Sequence, residues 1–132
     1  MRILVTGATG FLGGAAARGL AADGHSVLAS GRNRTLGQGL IGAGLEFQAA
    51  DLCDAQSVDS LCRGAEAVVH CAALSSPWGK RAAFVAANVD ATWNLLEACA
   101  RHGVPRLVHI STPSIYMGAG DREQVREDAR LP

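Results

Sequence analysis

The chain has 132 residues, enough for one domain with a hydrophobic core. Its 12 Lys and Arg residues balance 12 Asp and Glu residues, so no basic field gathers nucleic acid or acidic lipid, and no apolar run reaches the length of a membrane helix. The four cysteines, Cys53, Cys62, Cys71 and Cys99, lack C-x-x-C spacing, which argues against a metal site.

Met1 leads directly into an apolar strand over residues 3–6 with no signal-peptide pattern, so the expected location is a reducing cytoplasm. That strand runs into Thr6-Gly7-Ala8-Thr9-Gly10-Phe11-Leu12-Gly13. Gly7 suits a tight turn, Gly10 lets the main chain approach a pyrophosphate, and Gly13 allows close packing of helix on strand. An Ala-rich helix is predicted over 12–22 and is stopped by Gly24; its unpaired first-turn N–H groups and dipole favour an anion. The plain alternative is an ordinary strand-turn-helix corner, and the flanking strand and helix favour the phosphate cradle.

Further strands are predicted over 26–30, 46–49, 67–71 and 107–111, and further helices over 55–63 and 81–102. Residues 32–44 carry Gly37, Gly39, Gly42 and Gly44 and read as a loop, with one helical turn as an option. Residues 121–130 alternate acids and bases and read as a solvated helix or an ordered surface loop. The alternation of elements predicts an α/β, doubly wound parallel sheet of Rossmann type in the order 3-2-1-4-5. Its ligand site should lie at the C-terminal strand ends where that order reverses.

The spacing Thr-Gly-x-x-Gly-x-x-Gly resembles the extended short-chain dehydrogenase/reductase family, which includes NAD(P)-dependent epimerases and dehydratases and hydroxysteroid-dehydrogenase-like enzymes. Three later segments fit that family in order: His70-Cys71-Ala72-Ala73 at a strand end, the helical run from Asn88 through Trp93 to Glu97, and Val108-His109-Ile110-Ser111-Thr112-Pro113-Ser114-Ile115-Tyr116. The resemblance covers nearly the whole chain. It implies a nicotinamide dinucleotide held by Gly7, Thr9, Gly10, Phe11, Leu12 and Gly13.

Where NAD-binding relatives place an acid for the adenosine ribose, this chain has Gly31 followed by Arg32. A carboxylate that would repel a 2′-phosphate is absent and a guanidinium that can grip one is present, which favours NADP over NAD. Arg32 as a plain surface charge is the alternative. By resemblance, Asp51 and Leu52 hold adenine, with Asp51 or Asp54 as the N-cap of the next helix being the competing role. The small side chains of Cys71, Ala72 and Ala73 leave room for the nicotinamide ribose. Asn88 steadies the nicotinamide side or the loop beside it. His70, inside a buried strand, reads as a residue whose ring is satisfied by local hydrogen bonds and not as a catalyst.

Thr112 aligns with the family's catalytic Ser or Thr, whose hydroxyl donates to a substrate carbonyl; an ST-turn before Pro113 is the other reading. The family's proton-transfer pair is Tyr-x-x-x-Lys. Here the single tyrosine, Tyr116, is followed four residues later by Gly120, and the single lysine is Lys80. The expectation is therefore that residues 1–132 are an incomplete cofactor-binding domain of a longer protein, with the catalytic Tyr, Lys and a substrate domain beyond them. The expected activity of that protein is NAD(P)-dependent oxidoreduction, epimerisation or dehydration of a small ketone or alcohol, as a homodimer. A non-catalytic nucleotide-binding or redox-sensing module is the alternative.

Overall fold

The computed structural model describes residues 1–117 and 125–131. Five strands form one parallel sheet: β1 (Arg2–Thr6), β2 (Ser26–Gly31), β3 (Glu46–Ala49), β4 (Ala67–His70) and β5 (Leu107–His109). Their order is β3-β2-β1-β4-β5, the doubly wound arrangement predicted from the alternation of elements. The reversal falls between β1 and β4, so the crevice above their C-terminal ends is where this architecture places a ligand.

Alternation along each strand divides the core in two. Ile3, Val5, Val27 and Ala29 face α1 (Phe11–Ala22) and α2 (Arg34–Gly42), meeting Ala17 and Leu40. Leu4, Leu28 and Val68 face α3 (Ala55–Cys62) and α5 (Ala91–Arg101), meeting Val58, Leu61 and Leu95. Both faces are covered, which is why β1 and β2 read as nearly continuous apolar runs. Outside the core, Asp59 on α3 ties that helix to the end of α5 by accepting from Arg101 at 2.5 Å and lying 3.0 Å from His102 Nε2.

Two expectations from the sequence need correction. Residues 34–42 form a helix of nine residues and not a loop. Asn33 caps it by accepting from the Leu36 N–H at 3.0 Å, and Leu40 is buried. Gly37 is where the ring of Phe47 lies against that helix: a Cβ there would come within 2.1 Å of Phe47 Cε1. The glycine serves a tertiary contact, which overrides its low helix propensity. The helix predicted over 81–102 is continuous to Arg101 but not uniform. It runs as α4 (Arg81–Val85), a π-helical turn (Ala86–Asp90) and α5. Such a wide turn shifts the side chains that follow it and recurs at functional sites.

Of the charged segment 121–130, residues 121–124 lie outside the described residues. The remainder includes a turn in which the Ala129 N–H donates to the Arg126 carbonyl at 3.0 Å.

Candidate cofactor site

The turn after β1 is built from backbone. Gly7 has φ of 70°, in the left-handed region, and a Cβ there would sit 2.6 Å from the Ala72 nitrogen, so the turn lies directly on the end of β4. The Gly10 N–H donates to the Gly7 carbonyl at 2.9 Å, and Gly10 then opens α1 with no side chain to cap it. The N–H groups of the first turn are left with no side-chain acceptor, the arrangement that suits a phosphate. A Cβ on Gly13 would fall 2.3 Å from the Gly7 oxygen, so α1 packs on this turn as closely as only a glycine permits.

A cleft of about 340 Å³ opens at the C-terminal strand ends. Gly7, Thr9, Gly10, Arg32, Asp51 and Leu52 line it, together with Cys71, Ala72 and Ala73. Nine residues separated widely in sequence thus meet at one place. Phe11, Leu12, Gly13, Asn88 and Thr112 do not line it; Phe11 is 95% exposed at the start of α1, and Gly13 is buried beneath the turn. Sequence reasoning missed Thr6, Ser30, Asn33, Cys53 and Leu74 among the lining residues. The signal that marks Asn33 is its N-cap position before α2.

At the β2–β3 side, Asp51 Oδ1 accepts from the Cys53 N–H at 3.0 Å, and Asp54 is the N-cap of α3, accepting from Gln56 and Ser57. The capping role falls to Asp54, and Asp51 stays at the rim of the cleft. Leu52 is held by its carbonyl, which accepts from Asn94 Nδ2 at 2.9 Å. Ser30 is 1% exposed and its hydroxyl has no hydrogen-bond partner among the described residues. A Cβ on Gly31 would come within 2.5 Å of Thr9 Oγ1, so an acid at position 31 would require Thr9 to turn away. Arg32, exposed beside it, makes no ion pair among the described residues. These groups fit a dinucleotide: an uncapped glycine cradle for phosphates, a buried open hydroxyl and a cation near the end of β2.

One row of polar side chains crosses the sheet beneath the cleft. Register pairs Gln48 with Ser30, Ser30 with Thr6, Thr6 with His70, and His70 with His109. Thr6 Oγ1 lies 2.7 Å from His70 Nδ1, and Thr92 Oγ1 lies 2.9 Å from His70 Nε2. The ring of His70 is satisfied on both sides. Burial, with a smaller contribution from His109, depresses its pKa to about 4. Because the unfolded chain would take up this proton near the ordinary histidine value of about 6.5, the stabilisation is complete above that pH. It is lost progressively as the pH falls from there toward 4. Chemical denaturation at pH 7.5 and pH 5 should show lower stability at pH 5, and a His70→Asn variant should flatten that difference.

Asn88 stands in the π-helical turn and acts on the loop after β4. Its Oδ1 accepts from the Leu74 N–H at 2.7 Å and its Nδ2 donates to the Leu74 carbonyl at 3.1 Å. It therefore supports a wall of the cleft without lining it. Burial raises the thiols of Cys53 and Cys71, which are poorly ionised neighbours for an anion.

Thr112 caps the short 3₁₀ helix Pro113–Tyr116. Its Oγ1 accepts from the Ser114 N–H at 3.2 Å and donates to Ser114 Oγ at 3.1 Å, the geometry of an ST-turn. Tyr116 donates its hydroxyl to the Glu127 carbonyl at 3.0 Å.

Comparison with known proteins gives this geometry its context. The NAD dependent epimerase/dehydratase family matches residues 3–131. The chain belongs to this family. Among its relatives, an uncharacterized protein of Escherichia coli, YbjS, is 41% identical over 132 residues, covering 98% of this chain and 39% of the relative. A 2-alkyl-3-oxoalkanoate reductase of Stenotrophomonas maltophilia is 44% identical over 115 residues, covering 87% of this chain and 34% of the relative. A crystal structure of a short-chain dehydrogenase/reductase superfamily protein from Agrobacterium tumefaciens with bound NAD superposes with a TM-score of 0.87 at 31% identity, covering all of this chain and 39% of that one. The chain thus spans about two fifths of the length of these relatives or less. Among the described residues no group of three or more His, Cys, Asp or Glu side chains could hold a metal, and no helix is long and apolar enough to cross a membrane.

Proposed function

We propose that residues 1–132 are the cofactor-binding part of an NADP-dependent oxidoreductase, epimerase or dehydratase that moves hydride between nicotinamide and a small ketone or alcohol. The observation that carries this reading is the glycine turn of residues 7–13 against the strand end at Ala72, with Arg32 and Asp51 on the rim of the same cleft. When bound, the dinucleotide supplies the hydride. The chain's own residues would bind and orient it: first-turn N–H groups of α1 on the pyrophosphate, Asp51 and Leu52 at adenine, Arg32 at a 2′-phosphate, and the small side chains 71–73 beneath the nicotinamide ribose. The Tyr and Lys that move the proton and the substrate-binding wall would come from sequence outside these residues.

NADP is favoured because Gly31 offers no acid and Thr9 fills the space one would need. Titration of NADPH and NADH should show tighter NADPH binding, and Arg32→Ala should weaken NADPH by about 1–3 kcal/mol while leaving NADH nearly unchanged. Equal affinities for both, before and after the change, would reduce Arg32 to a surface charge.

A second reading, a non-catalytic dinucleotide-binding module, is favoured by one feature: the hydroxyls of Thr112 and Tyr116 are both engaged in local hydrogen bonds. The longer protein's steady-state activity separates the two. A homodimer is the proposed assembly, supported by the exposed stripe Val89, Trp93 and Leu96 on the π-turn and α5, and a reducing cytoplasm is the proposed location, in keeping with four free thiols.

A further inference from the structure

The polar row beneath the cleft has a direction, and the direction follows from counting protons. Thr92 Oγ1 lies 2.9 Å from the Asn88 carbonyl, which can only accept, so the single hydroxyl proton of Thr92 is committed there. Thr92 therefore receives its second hydrogen bond from His70, and Nε2 of His70 must carry a proton. In a ring kept neutral by burial, Nδ1 is then bare. It accepts from Thr6. The chain of donation runs one way, from Thr6 to His70 to Thr92 to the backbone of Asn88, and the Asn88 amide in turn holds both backbone groups of Leu74.

This chain links side chains from four parts of the fold. Thr6 ends β1 and lines the cleft, His70 ends β4, Thr92 opens α5, and Asn88 sits in the π-helical turn whose carbonyl Thr92 takes up. An α-helix would pair each carbonyl with an N–H four residues on. In the wide turn the Thr92 hydroxyl bonds the Asn88 carbonyl, and the turn presents the Asn88 side chain to the loop.

We infer that His70 is a positioning residue: as the neutral Nε2–H tautomer it fixes Thr92 and the π-turn, and through Asn88 it holds the 71–74 wall of the cleft in the shape that accepts the dinucleotide. The effect on ligand rests on the dinucleotide reading above, whereas the effect on the loop does not. Both are therefore measured. Nitrogen NMR of the protein labelled at histidine reads the tautomer of His70, amide hydrogen exchange at Leu74 reads the loop, and NADPH titration reads the cleft. Thr92→Val keeps the shape and removes the acceptor; Thr92→Ser restores it.

The expected result is a single Nε2–H tautomer in the parent chain and a mixture in Thr92→Val. Thr92→Val should also speed exchange at Leu74 and weaken NADPH by about tenfold, the scale of one buried hydrogen bond, with both recovered in Thr92→Ser. An Nδ1–H tautomer in the parent chain would overturn the inference, and so would unchanged exchange at Leu74 in Thr92→Val. Faster exchange spread evenly over the whole sheet would also overturn it, since that marks a purely structural threonine. If Thr92→Val does not fold, the tautomer in the parent chain and the match of Thr92→Ser to it decide the matter. Failure of the parent chain to bind NADPH, with tautomer and Leu74 exchange as expected, would remove the dinucleotide reading and leave the relay standing.

Discussion

Given NADPH and a panel of small ketones, residues 1–132 by themselves should turn over none of them at a measurable rate. Hydride transfer to a carbonyl needs a proton delivered to the oxygen in the same event, and a phenol does this near neutral pH only with a cation close by. Tyr116 has Gly120 and not a lysine four residues later, and its hydroxyl is spent on the Glu127 carbonyl. Lys80, the single lysine, stands at the start of α4. Thr112 is committed to Ser114. Loss of general acid–base catalysis costs about 100- to 10,000-fold, and loss of the groups that orient a substrate multiplies that. The check is a steady-state assay beside a longer protein containing this sequence. A rate within tenfold of that protein would mean that the proton is carried by a residue on these elements, with Tyr116 freed from Glu127 as the first to test.

The second large effect concerns one atom in α1. Gly13→Ala places a Cβ 2.3 Å from the Gly7 oxygen and 2.6 Å from the Gly7 carbon, and both are backbone with no rotamer to change. Either α1 lifts from the sheet or the turn opens. Overpacking of this kind costs about 1–3 kcal/mol, more where backbone must move, so the melting temperature should fall by roughly 10 °C. Dinucleotide binding should fall by about 100-fold, because the displaced groups are the proposed phosphate cradle. Gly19→Ala is the internal control. It lies in the same helix, meets nothing within 4 Å, and should stabilise the protein by about 0.5–1 kcal/mol through helix propensity. Two Gly-to-Ala changes six residues apart in one helix thus have opposite signs. If both raise the melting temperature, the close contact at Gly13 is not what limits this turn.

Sheet order and the place of the cleft were legible because they follow from periodicity and punctuation, which are local properties. Apolar runs of four to six residues bounded by Gly, Asp and Pro mark the strands, and five parallel strands alternating with helices have few ways to pack. Even so, three strand ends moved by a residue or two: β2 runs on to Gly31, while β4 and β5 stop at His70 and His109. Those limits depend on where the neighbouring strand ends, which no single segment encodes.

Other features were decided only by residues distant in sequence. Gly37 is helical because Phe47 lies on it, a ring from β3 replacing the side chain that this helix position lacks. The π-helical turn in the long helix at residues 86–90 carries no Pro or Gly signal; there the Asn88 amide meets Leu74, and the Thr92 hydroxyl meets both His70 and the Asn88 carbonyl. Asn94 behind Leu52 and Thr6 beside His70 are likewise pairings across 42 and 64 positions. The chain by itself determined the α/β class, the glycine cradle and the missing acid at the end of β2, because backbone freedom and charge belong to single residues. Tertiary structure alone decided which polar side chains meet, since a buried donor takes whatever acceptor the packing brings within 3 Å.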